Sequence, residues 1–425
     1  MSHLQTKITF WAMAALGPSA FAQTHSFTWQ ELRDKFQTSN PTLRAAEISI
    51  DESRAQEITA YLRPNPDFSF SVDQINPFTT QPPPSGGASV YSPFAYAFPS
   101  SSISYLHERR HKRELRKESA QQGTAISVSQ YADQERTLLF TLRSAFVQTL
   151  QQKAVLDLAR ENLTYYNRLL SVSNDRLKAG DIAKVDYQRL ELQRVQYETD
   201  VETALVNLRT AKIQLLMLLN DRTPVEQFDV TGTFDFSGEA RGLEELRRLA
   251  MDNRPDLKAA AQSVQKAETD HKLAVANGST DPTFGADIAR DPPIPAYLGV
   301  NVSIPLRIFD RNQGEKLRTQ EDITRNERLR DAATAQVFSD VDSAYATVES
   351  NLTLLRPYKE TYLKEALEVR DTVSFAYTRG GSSLLDFLQA QQDYRSTQLN
   401  YLNLVGAYLT AAAQVNMAVG QEVIP

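Results

Sequence analysis

The stretch TRGGSSLLDFLQAQQ, Thr378 to Gln392, places a pair of glycines between two long helical patterns. An earlier stretch, LKAGDIAKVDYQRLELQ, Leu177 to Gln193, has the same organisation, and its Gly180 precedes Gly380 by 200 residues. Glycine adopts the positive φ that a chain needs to turn tightly at the end of a helix. The two stretches therefore predict the tips of two helical hairpins.

Each tip carries an Asp six residues after its glycine, Asp186 in the first and Asp386 in the second. An Asp in the first turn of the returning helix is favoured by the helix dipole, and Ser383 together with Asp386 can cap that turn. A well-capped turn would be a sufficient explanation for a single copy. Two copies in one register favour a docking surface.

The tips belong to a longer duplication. SNPTLRAAEISI, Ser39 to Ile50, pairs with NRPDLKAAAQSV, Asn253 to Val264, and in each the Pro opens a helix at the position where a missing N–H is tolerated. Alternating apolar runs that follow predict two strands in each half. These strand candidates are PDFSFSVD (Pro66 to Asp73), SSISYLH (Ser101 to His107), PTFGADIA (Pro282 to Ala289) and YLGVNVSIPL (Tyr297 to Leu306).

Very long helices follow each strand pair, from about Glu108 to Leu177 and from about Gly314 to Thr378, where only Pro357 interrupts. After the tips the chain returns as helices over Val185 to Leu219 and Leu384 to Val419. A seven-residue apolar step predicts coiled-coil seams, and a helix of roughly 65 to 70 residues would reach on the order of 100 Å. The seam residues are Leu156, Leu163, Leu170 and Leu177 in the first half, and Val341, Val348, Leu355, Tyr362, Val369 and Ala376 in the second.

Composition narrows the class of protein. The 425 residues carry a formal net charge of −6, which does not suggest nucleic-acid binding, and contain no Cys, which excludes disulfides, thiolate metal sites and a lipid-anchoring Cys. Residues 1–22 have the pattern of a cleaved signal peptide, ending in Ala20-Phe21-Ala22. Beyond them the sequence shows no unbroken apolar run of transmembrane length. Contact with a membrane would therefore involve strands or a surface face.

Four strands are too few to close a membrane barrel, because the smallest such barrels use about eight. If the strands cross a membrane, several copies of the chain must share one barrel. Two copies would supply eight strands and three would supply twelve, and both numbers are compatible with a closed barrel.

The duplicated order, the segment PLRIFDRNQG from Pro305 to Gly314 and the two tips resemble the outer membrane efflux protein family, the TolC-like exit ducts of Gram-negative bacteria. The resemblance covers essentially the whole mature chain. It assigns adaptor docking to the tip residues Arg176, Gly180, Asp186, Gly380, Ser383, Leu385, Asp386, Leu388 and Gln391. It places the strand-to-helix junctions at Arg110, Arg113, Pro305, Asp310, Arg311 and Gly314.

The two tips depart from the family pattern in different ways. The first copy keeps Arg176 but has Ala183 where the pattern has Ser. The second copy keeps Ser383 but has Ala376 where the pattern has Arg. The two tips are therefore expected to make unequal contacts with a partner.

The resemblance implies a mainly α protein with a small β part, in which long antiparallel coiled-coil hairpins form a helical barrel. It implies a homotrimer with a twelve-stranded barrel in the outer membrane, not lipid-anchored, that meets a periplasmic adaptor protein and an inner-membrane pump of the RND type. The implied domains are a signal peptide (1–22), a first repeat (23–219), a connector (220–242) and a second repeat (243–425). The expected function is passive conduction in a tripartite efflux system, without a cofactor or catalysis.

Several other functions are compatible with the sequence. GDIAKVDYQRLELQRVQYETDV, Gly180 to Val201, is similar to the heavy-metal cation branch of the family, but organic solutes or proteins exported by a type I secretion system are also compatible with the sequence. A periplasmic or secreted coiled-coil scaffold or adhesin is an alternative from another class. HERRH, His107 to His111, matches the H-E-x-x-H zinc motif, although a basic collar at the junction between strand and helix is the favoured interpretation.

Overall fold

A computed structural model of the chain describes residues 25–236, 241–291 and 294–424. The predicted signal peptide lies outside these residues. The described chain is mostly helical with a small strand content, which confirms the predicted class. It divides into two compact units, one of Ala145–Phe234 with the described residues up to Phe36, and one of Gln37–Ser144 with the residues from Asp235 onward. These units cut across the two repeats, whose boundaries stay a prediction.

The first unit contains a hairpin made by the second part of helix α3 and by helix α4. Two short parallel strands, β1 and β6, pair in this unit and were not predicted, because three residues are too few to show an alternation. The elements are β1 (His25–Phe27), α1 (Trp29–Ser39), α3 (Lys112–Ala179), α4 (Lys184–Leu218), a 3₁₀ turn (Val225–Gln227) and β6 (Phe228–Val230).

The predicted seam of α3 packs against α4. Leu156 and Ala204 belong to one buried cluster between the two helices. Nearer the tip, the rings of Tyr166 and Tyr197 stack with centroids 4.4 Å apart. The Tyr166 hydroxyl donates to the Leu190 carbonyl oxygen at 3.0 Å, so the buried phenol is satisfied. The heptad step therefore predicted the burial of Leu156 correctly, whereas Tyr166 lies outside the predicted seam residues.

The second unit contains all four predicted long strands. Along the chain, helices α1 and α2 precede the first strand pair, and α5 and α6 precede the second, which extends the duplication. Within the loop of the first half, a two-stranded hairpin of β3 and β4 was not predicted. The elements are α2 (Pro41–Tyr61), β2 (Asp67–Asp73), β3 (Thr80–Gln81), β4 (Val90–Tyr91), β5 (Phe98–Leu106), α5 (Leu243–Asn253), α6 (Pro255–Asn277), β7 (Thr283–Asp291) and β8 (Ile294–Ser303).

The four long strands form one antiparallel sheet in the order β2-β5-β7-β8. Its register aligns Phe68 with Ile103, and Phe284 with Val302, so the predicted alternation puts apolar side chains on one face of the whole sheet. On the other face, Ser69 and Ser102 share a hydrogen bond of 2.8 Å. One face is therefore mainly apolar, whereas the other carries most of the Ser and Asp side chains of the sheet together with a few apolar residues such as Phe98 and Tyr297.

The second hairpin consists of α7 (Gln313–Pro357), a π-helical turn (Tyr358–Tyr362), α8 (Leu363–Thr378) and α9 (Leu384–Val419). Helix α9 is the one described helix long and apolar enough to cross a membrane by composition, but half of its most apolar window is buried inside the protein. It packs against α7 and α8. A packed core helix therefore explains its composition.

The predicted seam of this hairpin is correct from Val341 to Leu355 and wrong beyond it. Val341, Val348 and Leu355 are buried, whereas Tyr362 and Val369 are about half exposed. The residues that face α9 here lie one position later along the chain than the predicted seam residues. Arg370 lies over the Tyr394 ring at 4.2 Å, and Tyr377 stacks on Phe387 with centroids 4.8 Å apart.

The π-helical turn is the reason for this shift. Pro357 has no N–H to donate within the helix and displaces the carbonyl one turn before it, and the chain adapts with a turn that accommodates an extra residue. One added residue moves every later position of the seam by one. Consequently the buried face passes from Leu355 to Leu363 in a step of eight rather than seven.

We expect Leu355→Ala to destabilise the second hairpin strongly, because Leu355 is fully buried on α7. Truncation of a buried Leu costs about 2–5 kcal/mol. The matched control is Leu317→Ala on the same helix, where the side chain is 64% exposed and a change within about 0.5 kcal/mol is expected. The midpoint of guanidinium unfolding of the detergent-solubilised protein measures both. Equal shifts for the two variants would contradict the packing described for α7.

Candidate functional site: hairpin tips and strand-to-helix junctions

The second tip is a tight turn closed by a complete capping box. Gly380 has φ of +77°, and the Gly381 N–H donates to the Ala376 carbonyl at 2.8 Å. Ser383 accepts from the Asp386 N–H at 3.1 Å, while the Asp386 carboxylate accepts from the Ser383 hydroxyl at 2.7 Å and from its N–H at 3.3 Å. Both predictions for this turn, the glycine conformation and the Ser–Asp cap, are confirmed.

The carboxylate of Asp386 has a lowered pKa. The side-chain hydrogen bond from Ser383 is the largest cause, followed by the bond from the Ser383 backbone N–H. A group with a depressed pKa contributes stability above its ordinary pKa, and that contribution is lost as the pH falls through the depressed value. The cap is therefore fully formed at neutral pH.

The first tip has the same backbone turn but a weaker cap. Gly180 has φ of +84°, and the Asp181 N–H donates to the Arg176 carbonyl at 2.9 Å. At the N-cap position, Ala183 offers no side-chain acceptor to the first turn of α4. Asp186 instead lies 3.8 Å from the Arg189 guanidinium. The unequal tips predicted from Ala183 and Ser383 therefore differ physically in how the returning helix begins.

The predicted docking residues of the second tip differ in how far their side chains are exposed to solvent. Leu385 is 75% exposed and Leu388 is partly buried. Gln391 is buried, and its amide donates to the Ser374 hydroxyl at 3.1 Å across the hairpin. The prediction that Gln391 belongs to the docking surface is therefore wrong, because its side chain joins α8 to α9.

Two residues of the second tip were not predicted. Phe375 is exposed, and the Arg379 guanidinium lies over its ring at 4.8 Å. A cation held over an aromatic face forms a compact amphipathic surface beside Gly380. Arg379 directly precedes the glycine pair in sequence. It was not predicted because the family pattern places its Arg at position 376.

The first strand-to-helix junction lies between the end of β5 at Leu106 and the start of α3 at Lys112. Arg110 and His111 have φ of 59° and 55°, so HERRH forms a turn rather than a helix. The zinc motif requires its two His residues on one helical face, so this turn contradicts the zinc interpretation, which the sequence had already made the less favoured one. In the part of the chain that the structure describes, no group of three His, Asp or Glu residues is arranged to hold a metal ion.

Asp281 organises this junction. Its carboxylate accepts from Lys112 Nζ at 2.6 Å and from the Arg109 N–H at 2.9 Å. Burial raises the pKa of Asp281, but the hydrogen bonds from Lys112 and Arg109 outweigh burial and leave the pKa lowered. Nearby, Arg113 lies 4.4 Å over the Tyr61 ring. The basic residues of this segment are therefore held in place by contacts with Asp281 and with the Tyr61 ring.

The second junction connects β8 to α7 through Pro305 to Gly314. Asp310 accepts from the Asn312 N–H at 2.8 Å, and the Arg311 N–H donates to Gln313 at 2.8 Å. Asn312 adopts left-handed backbone with φ of 60°, and its amide donates to the Ala274 carbonyl at 2.8 Å. Asn312 was not predicted, although Asn is the residue that most readily replaces glycine in this conformation.

Known proteins provide an independent comparison. Residues 246–421 match the model of the family described as outer membrane efflux protein. Over 389 residues the chain is 23% identical to the cobalt-zinc-cadmium resistance protein CzcC of Cupriavidus metallidurans, with 90% of this chain and 87% of CzcC covered. The family resemblance drawn from the tips and the duplicated order is confirmed.

Solved structures share the fold. CusC, whose structures are described in terms of transmembrane channel formation, aligns with a TM-score of 0.75 at 16% identity, covering 98% of this chain and 99% of CusC. The open-state MtrE outer membrane channel of Neisseria gonorrhoeae aligns with a TM-score of 0.73 at 18% identity, covering 93% and 89%. The architecture is therefore shared across low sequence identity.

We expect Ala183→Ser to complete a capping box with Asp186 at the first tip. The reciprocal variant, Ser383→Ala, removes the cap at the second tip. Amide hydrogen exchange in the first turn of the returning helix should slow in the former and accelerate in the latter, each by roughly 2- to 30-fold, the equivalent of one N-cap. Exchange that is unchanged in both variants would show that tertiary packing, rather than the cap, fixes these turns.

Asp281→Asn should weaken the first junction, because it leaves the Lys112 ammonium, whose side chain is only 4% exposed, without a counter-charge. Removal of one partner from a buried pair costs about 3 kcal/mol. Asp310→Asn serves as the control, since Asp310 accepts from a neutral backbone amide that Asn can also satisfy. Thermal unfolding midpoints measure both, and a midpoint for Asp281→Asn no lower than the control would refute the role of the pair.

Proposed function

Because the chain is a relative of the outer membrane efflux proteins, we propose that it is an outer-membrane channel that conducts efflux substrates passively. In this proposal the sheet contributes to a transmembrane barrel and the helical hairpins extend into the periplasm. The chain catalyses no reaction, and an energised partner in the inner membrane drives transport.

The polarity of the sheet supports this proposal most directly. The apolar face is exposed, with Val300 83% and Leu298 76% accessible. A soluble hairpin would cover such a face with other apolar groups, whereas a barrel strand presents it to lipid. With nine or ten residues, β5, β7 and β8 have the length of membrane-spanning strands. The large exposed side chains of this face are Phe68, Phe70, Ile103, Phe284, Ile288, Leu298, Val300 and Val302.

The edges of the sheet support an oligomer. Strands β2 and β8 each pair on one side only among the described residues. An unpaired edge in lipid leaves backbone N–H and C=O groups without partners, so the edges of neighbouring chains must meet. We take the trimer as the oligomer, because three chains give the twelve strands that the family resemblance implies.

The tips support contact with a periplasmic adaptor. Leu385 and Phe375 expose apolar surface beside Gly380, and the rigid backbone turn presents it without loss of conformational freedom. The adaptor would connect these tips to an inner-membrane pump of the RND type. Of the predicted docking residues, Leu385 provides the largest exposed apolar side chain.

For the substrate we propose divalent metal cations, because the relative CzcC is a cobalt-zinc-cadmium resistance protein. The polar face of the sheet supports a cationic cargo. Its described side chains include the carboxylates of Asp67, Asp73 and Asp287 and no Lys or Arg. Acidic rings favour cations over anions in a pore. Organic solutes and proteins exported by a type I system are the competing cargoes.

Deletion of the gene from its native Gram-negative host tests this function. Growth in graded Co²⁺, Zn²⁺ and Cd²⁺ should become more sensitive and should recover with the intact gene. Loss of tolerance to organic toxicants with unchanged metal tolerance would support the organic cargo instead. Recovery of the protein in an osmotic-shock fluid rather than in the outer-membrane fraction would favour the periplasmic scaffold.

Val300→Lys should impair membrane assembly, because it places a charge on the face proposed to meet lipid. The expected cost is about 2–4 kcal/mol if the position lies near the bilayer midplane. Ser102→Lys is the matched control, because its side chain belongs to the polar face opposite Asp287. The outer-membrane fraction and the heat-modifiable oligomer should fall only for Val300→Lys. An equal loss for Ser102→Lys would contradict the assignment of the two faces.

A further inference from the structure

Two glycines on the polar face of the sheet leave space that side chains of the neighbouring strand fill. Gly299 of β8 stands opposite Asp287 of β7, and Gly285 of β7 stands opposite Asn301 of β8. A Cβ added at position 299 would lie 2.6 Å from Oδ1 of Asp287, and a Cβ added at position 285 would lie 2.6 Å from Oδ1 of Asn301. Strand side chains usually stand perpendicular to the sheet. These two instead lie flat, each over the glycine of the next strand.

The duplication places serine pairs at the corresponding positions of the first half. Alignment of the prolines that precede β2 and β7 makes the cross-strand pairs of the two halves correspond. These pairs are Ser69–Ser102 with Gly285–Asn301, and Ser71–Ser100 with Asp287–Gly299. Hydrogen bonds of 2.8 and 2.9 Å join the two serine pairs.

Equal bulk is what the corresponding pairs have in common. Two serines contain the same number of side-chain heavy atoms as one Asp or Asn beside a glycine. Both halves of the sheet therefore have small pairs at the same two levels of the polar face, although their chemistry differs. The second half adds a carboxylate, that of Asp287, without adding bulk.

We propose that Gly285 and Gly299, named here the glycine seats, hold Asn301 and Asp287 flat against the channel wall and so set the width of the lumen at this level. This inference rests on the proposed function, in which the polar face lines the lumen. A pore excludes solutes at its narrowest level, so projecting side chains there would limit the cargo. A flat carboxylate attracts cations without obstructing their path.

The geometry predicts what a side chain at position 299 would do. The nearest atoms to an added Cβ all belong to the Asp287 side chain, which can rotate away while the strand stays in place. An upright Asp projects roughly 2 Å farther than a flat one, since each C–C bond spans about 1.5 Å. Every copy in the proposed oligomer would add one such projection at the same level. Gly299→Ala should therefore narrow the lumen from several sides at once.

Ser303 is a suitable reporter position beyond the glycine seats. It lies on the polar face, two residues past Asn301 and four past Gly299 in the direction of α7. The chain passes from β7 to β8 at the opposite end of the sheet, which is the outward end in the proposed orientation. A reagent that enters from outside the cell therefore passes the seats before it reaches residue 303.

Maleimide labelling of Ser303→Cys on intact cells tests the inference, because the chain has no natural Cys. The small probe is N-ethylmaleimide. The large probe is the longest polyethylene glycol maleimide that is excluded by general porins and still labels Ser303→Cys. Adding Gly299→Ala should slow the large probe by about threefold or more and leave the small probe unchanged. Further addition of Asp287→Ala should restore the large-probe rate, because it removes the displaced side chain.

The matched control gives the second half the serine pair of the first. Asp287→Ser with Gly299→Ser keeps the number of side-chain heavy atoms, so the large probe should label Ser303→Cys at the original rate. The same control removes the carboxylate. The labelling rate of a cationic maleimide relative to an anionic one of equal size should therefore fall by about twofold or more.

Three results would overturn the inference. One is a large-probe rate that Gly299→Ala leaves unchanged, and another is a slow rate that persists after Asp287→Ala is added. The third is an unchanged ratio of cationic to anionic labelling in the serine control, which would remove the role of Asp287 toward cations.

The second seat gives an independent measurement if Gly299→Ala does not assemble. Gly285→Ala, with Asn301→Ala as its rescue, repeats the test, since the nearest atoms to a Cβ at position 285 all belong to Asn301. The heat-modifiable oligomer in the outer membrane shows which variants assemble. Failure of both glycine variants to assemble would also overturn the inference, because the strands themselves would then require the glycines.

Val302→Cys separates a failure of the seats from a failure of the proposed channel. Val302 adjoins Ser303 but belongs to the apolar face, so a water-soluble probe should not label it in the membrane. Equal labelling at positions 302 and 303 would reject the channel wall and the seats together. Selective labelling of Ser303→Cys that does not respond to Gly299→Ala would reject the seats and leave the channel proposal standing.

Discussion

The constraint on which this structure depends is the four-stranded sheet, which has an exposed apolar face and two edges that pair with no further strand in the part of the chain that the structure describes. Neither feature is stable in water for an isolated chain, because the face attracts other apolar surface and the edges attract other strands. In the proposed assembly, lipid covers the apolar face and the strands of neighbouring chains pair with the edges. The same constraint explains why the small polar residues of the opposite face, such as Ser69 and Ser102, bond to each other across the strands.

Much of this architecture could be predicted from the sequence, because the governing patterns are local and periodic. Alternation at Phe68 and Phe284 identified the strands, and the seven-residue step identified the seams as far as Leu355. The shift beyond Pro357 could not be predicted in the same way. A proline in a helix can produce a kink, a break or a π-helical turn, and packing against α9 decides which of them forms.

The candidate sites show a similar division. Ser383 and Asp386 could be identified as a cap because both groups of the interaction lie within one helical turn of each other. The burial of Gln391 could not be read from a family pattern, since it depends on Ser374 across the hairpin. The turn at Arg110 and His111 could not be predicted from the local sequence either, because Asp281, which fixes that junction, is distant in sequence.

The duplication gives the chain two hairpins that are alike in backbone and unlike in surface. Each hairpin turns at a glycine with positive φ, Gly180 in the first and Gly380 in the second. The second tip has the capped Ser383 turn, whereas the first tip has the Ala183 turn without a side-chain cap. The π-helical turn affects the packing of the whole second hairpin, because removal of its extra residue would shift every later position of α8 by one relative to α9. This one turn therefore determines which residues of α8 pack against α9 and which remain exposed, as Tyr377 and Val369 respectively do.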